Sequence, residues 1–375
     1  MVFNQVGIIG GGQLAWMMAD AARKLDIKLI VQTPNNNDPA VSIADRVIFA
    51  NIADAQATKD LADFAEVITF ENEFIDLEKL EKLAQDGVIF YPSLASLSPL
   101  LDKYEQRCFF RDINLPVPEF SLLELQEDLS QDLKFPLVLK ARRHGYDGYG
   151  TFIIKNKEEL RKVWTRYNCP SMLLEEFVPF TCELATIAAR NIQGEIICYP
   201  VVETIQKNQV CHRVYAPAEV SENIIEQVKN IAHTLLTQLN YVGVFGIELF
   251  LTADNQVLVN EIAPRTHNSG HYTLDACEIS QFEMQLRAVT GLNLPSPNLK
   301  TKAAVMINLL GYENSYNDYQ EKRNKIKAIS NTYLHWYNKT ESKVSRKLGH
   351  VTLLGETKKE LIKKAEEIES IWLNS

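Results

Sequence analysis

The chain has 375 residues, a hydrophobic content of 46% and a formal net charge of −9. This length predicts two or three packed domains, and the acidic balance argues against nonspecific binding to nucleic acid or to an anionic membrane surface. The six cysteines form no C-x-x-C pair, which argues against a zinc site and a disulfide framework. Because no apolar run is long enough to span a bilayer and no signal-like leader precedes the first strand, we expect a cytoplasmic protein.

The first hundred residues alternate strand and helix patterns, which predicts a parallel sheet. Val6–Ile9 leads into Gly10–Gly12 and then into a helical run that begins with Gln13 and Leu14. The glycine spacing fits a dinucleotide-binding turn, but glycine turns open many parallel sheets whatever they bind. The second strand ends in Gln32–Pro34, where a NAD-binding unit usually places an acid. A nicotinamide-dependent oxidoreductase is therefore an alternative that this region weakens.

Two acids follow a later strand of this predicted sheet. The pattern predicts strands at Arg46–Phe49, Val67–Phe70 and Val88–Tyr91, with helices from about Ala55 and Asp76. Glu71 and Glu73 stand just past the carboxyl end of one of these strands, where open parallel sheets present ligand-binding groups. Both are candidate substrate-binding residues. The alternative is that they cap the helix near Asp76, since acids are favoured at helix starts.

Basic groups and glycines characterise the next unit. A helix begins near Leu101 and contains Lys103, and a buried strand, Phe135–Lys140, delivers Lys140 at its end, with Arg142 beyond it. A lysine in that position suits nucleotide phosphates as a point charge. The loop that follows is longer than a tight hairpin, and its backbone N–H groups can wrap phosphate oxygens, so it predicts a mobile flap. The flap comprises Gly145, Tyr146, Asp147, Gly148, Tyr149, Gly150 and Thr151.

A strand that runs into a proline-ended linker comes next. Such a linker can hydrogen-bond an adenine edge with its backbone, and Glu183, one strand later, can hold ribose hydroxyls. Without context, a surface acid is an equally good interpretation of Glu183. The linker residues are Glu175, Glu176, Phe177 and Val178.

The most informative stretch is a predicted hairpin that carries one carboxylate on each strand, Glu248 and Glu261, with the amide of Asn260 beside the second. Pairing of the strands brings these oxygen ligands together, which is typical of a Mg²⁺ site. Two exposed acids on an edge hairpin are the alternative. Polar and anion-binding groups then crowd into the next seven residues: Arg265, His267, Asn268, Ser269 and His271.

A tail of about 80 residues follows Pro297 and begins with the predicted strand Ala303–Ile307. Four basic residues, Lys343, Arg346, Lys347 and His350, precede a predicted strand at Val351–Leu354 and a lysine-rich helix from about Lys358. In an acidic protein these groups suit a phosphate, although a solvated basic face fits the sequence equally well.

The order of these motifs resembles the ATP-grasp superfamily, and within it the N5-carboxyaminoimidazole ribonucleotide synthetases of purine biosynthesis. The resemblance covers nearly all of the chain and depends most on Asn260–Arg265, His267–His271 and Arg346–His350. It implies an α/β and α+β protein with an N-terminal parallel-sheet, Rossmann-like domain (1–100), a central ATP-grasp domain (101–297) and a small β-rich C-terminal domain (298–375). A homodimer is also expected.

The resemblance also implies a reaction, in which ATP phosphorylates bicarbonate and the resulting carboxyphosphate carboxylates the exocyclic amine of aminoimidazole ribonucleotide. Lys103, Lys140, the flap, the linker, Glu183 and Asn260 would then bind ATP, and Glu248 and Glu261 would bind Mg²⁺, or Mn²⁺ in its place. The residues expected at the reacting groups are Tyr146, Asp147, Arg142, Arg265, His267 and Asn268. The residues expected to bind the ribonucleotide are Gln13, Leu14, Glu71, Glu73, Ser269, His271, Arg346 and Lys347.

The chain departs from the family pattern at two positions, with Lys103 where arginine is frequent and His144 where glycine is frequent. A related ATP-grasp ligase, such as a formate-activating transformylase, remains the nearest alternative function. The run from His267 to His271 and the Arg346-Lys347 pair favour the carboxylating enzyme.

Overall fold

The computed structural model describes residues 2–124, 133–143, 150–168 and 170–373, and these ranges form three β-sheets. Most of the predicted flap, Gly145, Tyr146, Asp147, Gly148 and Tyr149, lies outside the described residues, as does His144.

The N-terminal region forms a four-stranded parallel sheet with helices packed against it. Its strands are β1 (Gln5–Ile9), β2 (Lys28–Thr33), β3 (Arg46–Phe49) and β4 (Val67–Phe70). Its helices are α1 (Gln13–Trp16), α2 (Ala19–Leu25), α3 (Ala55–Ala62), α4 (Leu77–Gln85) and α5 (Leu94–Leu97). The spatial order is β3-β2-β1-β4, which confirms the predicted parallel α/β class for this region.

The predicted strand at Val88–Tyr91 is wrong, because only an isolated bridge between Ile68 and Phe90 forms there. The Ile68 amide donates to the Ile89 carbonyl at 2.8 Å, and the Tyr91 amide donates to the Ile68 carbonyl at 2.9 Å. Pro92 follows immediately and has no N–H to continue the ladder, so the pairing stops after one bridge.

The central region begins with α6 (Lys103–Asp112) and a second, antiparallel sheet. This sheet contains β5 (Phe120–Leu123), β6 (Leu137–Ala141), β7 (Thr151–Ile154) and β8 (Met172–Glu176), with α7 (Lys157–Arg166) between the last two strands. The spatial order β5-β8-β6-β7 places β6, with Lys140 near its end, between β8 and β7. The strand that delivers the lysine is therefore central in its sheet.

The third sheet is the largest and contains nine strands. These strands are β9 (Phe180–Arg190), β10 (Ile196–Cys198), β11 (Val202–Lys207), β12 (Val210–Ala216), β13 (Gly243–Thr252), β14 (Val257–Ala263), β15 (Ala303–Leu310), β16 (Thr332–Trp336) and β17 (Lys347–Gly355). The accompanying helices are α8 (Glu222–Gln238), α9 (Thr273–Ala276), α10 (Gln281–Thr290), α11 (Gln320–Lys327) and α12 (Lys358–Leu373). The order is β14-β13-β9-β11-β12-β15-β17-β16, with β10 on β9.

This sheet runs across the predicted domain boundary at residues 297 and 298. Strand β12 pairs antiparallel with β15, and β15 pairs with β17, so the C-terminal strands extend the sheet that carries the acid hairpin. The C-terminal region is β-rich as predicted, and the three domain ranges themselves stay predictions. A continuous ladder of backbone hydrogen bonds fixes the distance between the basic tail and the acids.

Helix α8 packs its apolar face against the large sheet. Its apolar residues Ile224, Val228, Ile231 and Leu235 recur at helical spacing, are buried, and belong to the same core as Val257 and Val259 of β14. Burying each such side chain contributes about 1.5–3 kcal/mol. The predicted amphipathic helix is therefore confirmed, and it supports the back of the acid hairpin.

Helix α10 joins the N-terminal sheet to the large sheet. Its residues Phe282, Leu286 and Val289 pack in one core with the strands of the first sheet, and Gln285 Nε2 donates to Thr69 Oγ1 at 2.8 Å. None of the helices in the described ranges combines the length and the apolar character needed to cross a bilayer.

Candidate active site

The two hairpin acids face each other directly. Glu248 on β13 and Glu261 on β14 are cross-strand partners, so their side chains lie on one face of the sheet. Their side chains are 26% and 40% exposed. Burial, together with the charges of Glu261 and Glu183, raises the pKa of Glu248 to about 7. Two carboxylates placed this close repel each other, and a divalent cation would relieve that repulsion.

Lys103 approaches this pair from the start of α6. Its Nζ lies 3.0 Å from Glu261 Oε1. Burial alone would raise the pKa of Glu261, but the charges of Lys103 and Lys140 hold it below its ordinary value. The helix start is well fixed, because Asp102 caps it by accepting from the Tyr104 amide at 3.0 Å. The charge of Glu261 is therefore partly compensated by Lys103, whereas the ionised form of Glu248 is disfavoured.

Lys140 belongs to a buried charge cluster next to the hairpin. Its Nζ lies 2.7 Å from Glu175 Oε2 and donates to Asn260 Oδ1 at 3.2 Å. Burial lowers the pKa of Lys140, and the charge of Glu175 opposes this effect. The lysine is thus aimed at the strand that carries Glu261, and its other contact is an acid of the predicted linker.

Arg107 completes this cluster, and the sequence analysis missed it. Its side chain is 2% exposed, its Nε pairs with Glu175 Oε1, and its guanidinium donates to the carbonyls of Val259 (3.2 Å) and Asn260 (2.5 Å). Despite the opposing effect of burial, Arg107 and Lys140 lower the pKa of Glu175 to about 2. The spacing of four residues from Lys103, which places both on one helix face, was the available signal.

The predicted adenine linker divides into two parts. The side chain of Glu175 is fully engaged by Arg107 and Lys140, so only its backbone remains for a nucleotide. Phe177 and Val178 lie past the end of β8, beyond the hydrogen-bonded ladder. Glu176 is exposed, and its Oε1 accepts from the Glu119 amide at 3.2 Å. The adenine contacts stay a prediction.

Glu183 is half-buried on β9. Burial raises its pKa to about 7, and a hydrogen bond from Gln206 opposes the rise. It pairs across the sheet with Phe250 of β13. This environment differs from that of a freely solvated surface acid, which was the alternative interpretation.

Glu71 is buried inside the glycine turn. Its carboxylate accepts hydrogen bonds from the amides of Gly12 at 2.6 Å and Leu14 at 3.0 Å. Burial raises the pKa of Glu71, and these amides oppose the rise. The alternative that it caps the helix near Asp76 is wrong, because Asp76 caps that helix itself by accepting from the Lys79 amide. The turn holds a side-chain carboxylate where a dinucleotide would place its pyrophosphate.

The other N-terminal candidates have different surroundings. Leu14 is buried in the core of the first sheet, whereas Gln13 is half-buried. Glu73 forms a two-point ion pair with Arg265, with Oε2 to Nε at 2.7 Å and Oε1 to Nη2 at 3.1 Å. Although burial opposes it, Arg265 lowers the pKa of Glu73. This pair connects the N-terminal region to the segment after the acid hairpin.

His267 lies beside the acid pair, with its Nε2 at 3.6 Å from Glu248 Oε1. The Ser269 amide donates to His267 Nδ1 at 3.4 Å, and Ser269 Oγ lies 2.9 Å from the same nitrogen. Because Nδ1 accepts, the neutral ring carries its proton on Nε2, towards the carboxylate. His267 is thus oriented as a donor into the acid site.

Gln281 and Asn308 contact the rest of this segment through their side-chain amides. Gln281 Oε1 accepts from the His267 amide at 2.9 Å, and its Nε2 lies 3.0 Å from His271 Nδ1. Asn268 and Asn308 exchange hydrogen bonds of 2.9 and 2.7 Å.

Two of the candidate substrate-binding residues in this segment are buried. Ser269 and His271 are each 1% exposed, and burial keeps the pKa of His271 well below its ordinary range. Their geometry favours support of His267 over direct contact with a substrate.

The basic tail does not form one surface. Lys347 begins β17, and its positive charge acts to lower the pKa values of Glu248 and His271. Arg346 Nη1 donates to the Glu341 carbonyl at 3.0 Å. Lys343 is 61% exposed and pairs with Glu341, so it belongs to a solvated face. The predicted strand start at Val351 is wrong, since β17 begins at Lys347.

Arg142 lies at the base of the predicted flap. Its Nε lies 2.9 and 3.0 Å from the two carboxylate oxygens of Asp102, and its carbonyl accepts from the Lys103 amide at 2.8 Å. Arg142 therefore fixes the helix start that presents Lys103, and its catalytic role stays a prediction. At the far end of the flap, Gly150 accepts from the Ala141 amide and Thr151 pairs with Lys140.

Three domain families match this sequence along its length. They are the ribonucleotide synthetase preATP-grasp domain over residues 3–98, the ATP-grasp domain over 108–282, and the phosphoribosylaminoimidazole carboxylase C-terminal domain over 304–364. The N5-carboxyaminoimidazole ribonucleotide synthase of Synechocystis sp. is 52% identical, over 93% of this chain and 91% of its own length.

Two solved structures from Aspergillus clavatus share the fold closely. Its carboxyaminoimidazole ribonucleotide synthase complexed with ATP has a TM-score of 0.92 at 30% identity and covers 98% of both chains. Its N5-carboxyaminoimidazole synthase in complex with ADP and 5-aminoimidazole ribonucleotide has a TM-score of 0.90 at 29% identity, again over 98% of both chains.

Proposed function

The chain belongs to the N5-carboxyaminoimidazole ribonucleotide synthase family, and from this membership we propose that it carboxylates 5-aminoimidazole ribonucleotide at the expense of ATP and bicarbonate. The observation that carries the proposal is the pairing of Glu248 with Glu261 across the hairpin, with the Lys103 ammonium group 3.0 Å from Glu261. This arrangement supports a cation site at the two carboxylates, beside a lysine suited to a triphosphate.

The acid pair fits Mg²⁺ by its donor chemistry. Glu248 and Glu261 supply facing carboxylate oxygens, with the amide of Asn260 next to them, and hard oxygen ligands are the preference of Mg²⁺ and Mn²⁺. Burial first, and then the charges of Glu261 and Glu183, raise the pKa of Glu248, so a cation at this carboxylate would favour its charged form. When bound, the ion would neutralise charge that develops on the transferring phosphoryl group.

Lys103 and Lys140 are proposed to hold the phosphates. Both ammonium groups reach the strand of Glu261 and its neighbour Asn260, so an incoming triphosphate would meet two positive charges already in place. The γ-phosphoryl group is transferred to a bicarbonate oxygen, which gives carboxyphosphate and ADP. Preorganised cations of this kind stabilise the transition state because they need not reorganise during the transfer. The flap residues Tyr146 and Asp147 are proposed to cover this site.

The second half-reaction forms the carbon–nitrogen bond. The exocyclic amine attacks the carboxyl carbon of carboxyphosphate, the bond from that carbon to the bridging phosphate oxygen breaks, inorganic phosphate leaves, and the amine loses one proton. Arg265, His267 and Asn268 are proposed to line this step, with Asp147 as a candidate proton acceptor. Exclusion of water matters here because carboxyphosphate hydrolyses readily, and the flap is proposed to provide it.

Lys347 and Arg346 are proposed to bind the 5′-phosphate of the ribonucleotide. The influence of Lys347 on Glu248 and His271 supports a position at the edge of the acid site. Gln13, Leu14, Glu71, Glu73, Ser269 and His271 remain proposed parts of the surrounding pocket. A cytoplasmic homodimer completes the proposal, by the same family resemblance.

The position of Glu71 argues against a nicotinamide-dependent oxidoreductase. A pyrophosphate in the glycine turn would compete with a carboxylate for the amides of Gly12 and Leu14.

A formate-activating transformylase differs from the proposed enzyme in its substrates, so an assay with both sets of substrates distinguishes the two. Purified protein is mixed with ATP, Mg²⁺ and bicarbonate, with and without aminoimidazole ribonucleotide, and ADP release is followed. We expect substantial ADP release only when both bicarbonate and the ribonucleotide are present, whereas release only with formate and glycinamide ribonucleotide would overturn the proposal.

A further inference from the structure

Three side chains with metal-ligand chemistry converge where the C-terminal strands meet α9. His335 on β16 and His350 on β17 are direct cross-strand partners, and Asp275 lies on α9 above them. His335 Nε2 lies 2.9 Å from Asp275 Oδ2, and one ligand atom from each of the three residues falls within 4.8 Å of the others. The cluster combines two imidazoles with one carboxylate.

His350 has an unusual environment for a buried polar group. The residue is fully buried, and its Nδ1 lies 2.8 Å from the Tyr337 hydroxyl. Its Nε2 is buried as well and has no hydrogen-bond partner among the described residues. A buried nitrogen without a partner is rare, because its lost hydration is not replaced. A bound ion at Nε2 would supply the missing interaction.

We propose that Asp275, His335 and His350 bind a divalent transition-metal ion of the Zn²⁺ class, separate from the acid pair on β13 and β14. Two imidazoles and one carboxylate suit Zn²⁺, Co²⁺ or Ni²⁺, whereas Mg²⁺ prefers an all-oxygen set. The cysteine pattern argued against a zinc site, but this cluster contains no cysteine, so that argument does not apply to it.

The ligand atoms of the cluster lie near the separations found in a zinc site. Bonds of about 2.0–2.2 Å to Zn²⁺ in a tetrahedral site place ligand atoms roughly 3.3–3.5 Å apart. The Asp275–His335 contact is already shorter than this, while the rings of His335 and His350 are stacked with centroids 4.6 Å apart. The two rings would have to turn out of this stacked arrangement to aim both nitrogens at one ion. His335 is 26% exposed, which provides a path of entry.

Tyr337 provides the outer support that histidine ligands usually have. If His350 Nδ1–H donates to the Tyr337 oxygen, Nε2 carries the lone pair that is available to an ion. An ion there would connect the β16–β17 hairpin to α9, which directly follows the segment of His267 and His271. The His350 and His271 rings are 5.1 Å apart, so the proposed ion would stiffen the support of the active site from behind.

The test uses the full chain, saturating Mg²⁺ to occupy the acid pair, and Co²⁺ as a visible probe. We expect one equivalent of Co²⁺ with the absorption of a nitrogen-ligated ion, displaced by Zn²⁺. His335→Ala and Asp275→Asn should each weaken binding by at least ~10-fold, the scale of losing a contact to the ion. The matched control is His233→Ala, which removes an exposed histidine on α8 and should leave binding unchanged.

Asp275→Asn keeps the size and a hydrogen-bonding group at its position, so it remains informative if His335→Ala fails to fold. At the same concentration, Zn²⁺ should raise the melting temperature of the wild type by more than that of Asp275→Asn. Absence of Co²⁺ binding by the wild type would overturn the proposal. So would binding that survives in both variants but is lost in Glu248→Gln, because the ion would then lie at the acid pair.

Discussion

Two acids of the candidate active site, Glu175 and Glu248, have opposite electrostatics. Glu175 is enclosed by Arg107 and Lys140, and its pKa falls to about 2. Glu248 loses hydration and faces another carboxylate, and its pKa rises to about 7. A buried acid that has its cations from the chain is structural, whereas one that faces another acid is ready for a cation from solution. Glu175 therefore belongs to the structural support of the site, whereas Glu248 belongs to its proposed chemistry.

The largest effect on stability is expected from removing Arg107, one of the two cations that pair with Glu175. Arg107→Met leaves a buried carboxylate with only Lys140 and also loses the bonds to the Val259 and Asn260 carbonyls. We expect the free energy of unfolding to fall by about 3–5 kcal/mol, measured by urea denaturation. Arg111→Met, on the same helix and 61% exposed, should change it by less than about 0.5 kcal/mol. A loss below about 1 kcal/mol for Arg107→Met would remove Arg107 from the structural group.

The next effect concerns catalysis. Glu261→Gln is nearly isosteric and removes one of the two charges proposed for Mg²⁺, so turnover should fall at least ~10²-fold, or about 2.7 kcal/mol of transition-state stabilisation. Steady-state assays at saturating Mg²⁺ measure this, with the exposed Glu226→Gln as the matched control. Turnover within a few-fold of the wild type would return Glu261 to the interpretation of an exposed hairpin acid.

A substitution at Lys347 tests whether this residue binds the 5′-phosphate of the ribonucleotide. If it binds the 5′-phosphate, Lys347→Ala loses a charge-assisted contact of about 1.5–3 kcal/mol. The KM for aminoimidazole ribonucleotide should rise at least ~10-fold and that for ATP less than ~3-fold.

The neighbouring Lys343→Ala, on the solvated face, serves as the control for Lys347 and should change neither constant. If Lys347→Ala raised the KM values for both substrates by the same factor, the result would indicate a disturbed fold instead of a lost phosphate contact.

The smallest effect is a pH dependence of stability from Glu248. Its pKa is about 7 in the folded chain against an ordinary value of 4.5, so the folded state binds more protons between these values. Stability from this group is therefore complete below about pH 4.5 and is lost as the pH rises through 7. Without Mg²⁺, Glu248→Gln should be more stable than the wild type at pH 8 by on the order of 1 kcal/mol, and equally stable at pH 4. A stability difference independent of pH would contradict the raised pKa.

Much of the site was predictable because it follows from strand pairing. The two acids, the strand-end lysine and the parallel sheet are local patterns, and the hairpin register brings Glu248 opposite Glu261. The α/β and α+β class, with an N-terminal parallel sheet and β-rich C-terminal strands, is likewise confirmed.

The parts that the sequence analysis missed depend on contacts between residues far apart in the chain. Arg107 pairs with an acid 68 positions away, and Glu71 reaches a turn 59 positions before it. The extension of the large sheet across residue 297 is another such feature, because the local hydrophobic pattern of a sequence does not determine which strands pair. Burial of Ser269 and His271 likewise depends on α10, which supplies Gln281.

The central claim is that the Glu248–Glu261 pair is the cation site of the proposed reaction. The most direct test is the pKa of the Glu248 carboxyl, followed by carbon NMR of labelled glutamate with Glu248→Gln as the assignment control. We predict a pKa of about 7 in the free protein and a value below 4.5 once Mg²⁺ and a nonhydrolysable ATP analogue are bound, because the ion favours the charged form. A pKa that stays near 7 at saturating Mg²⁺ and nucleotide would contradict the account.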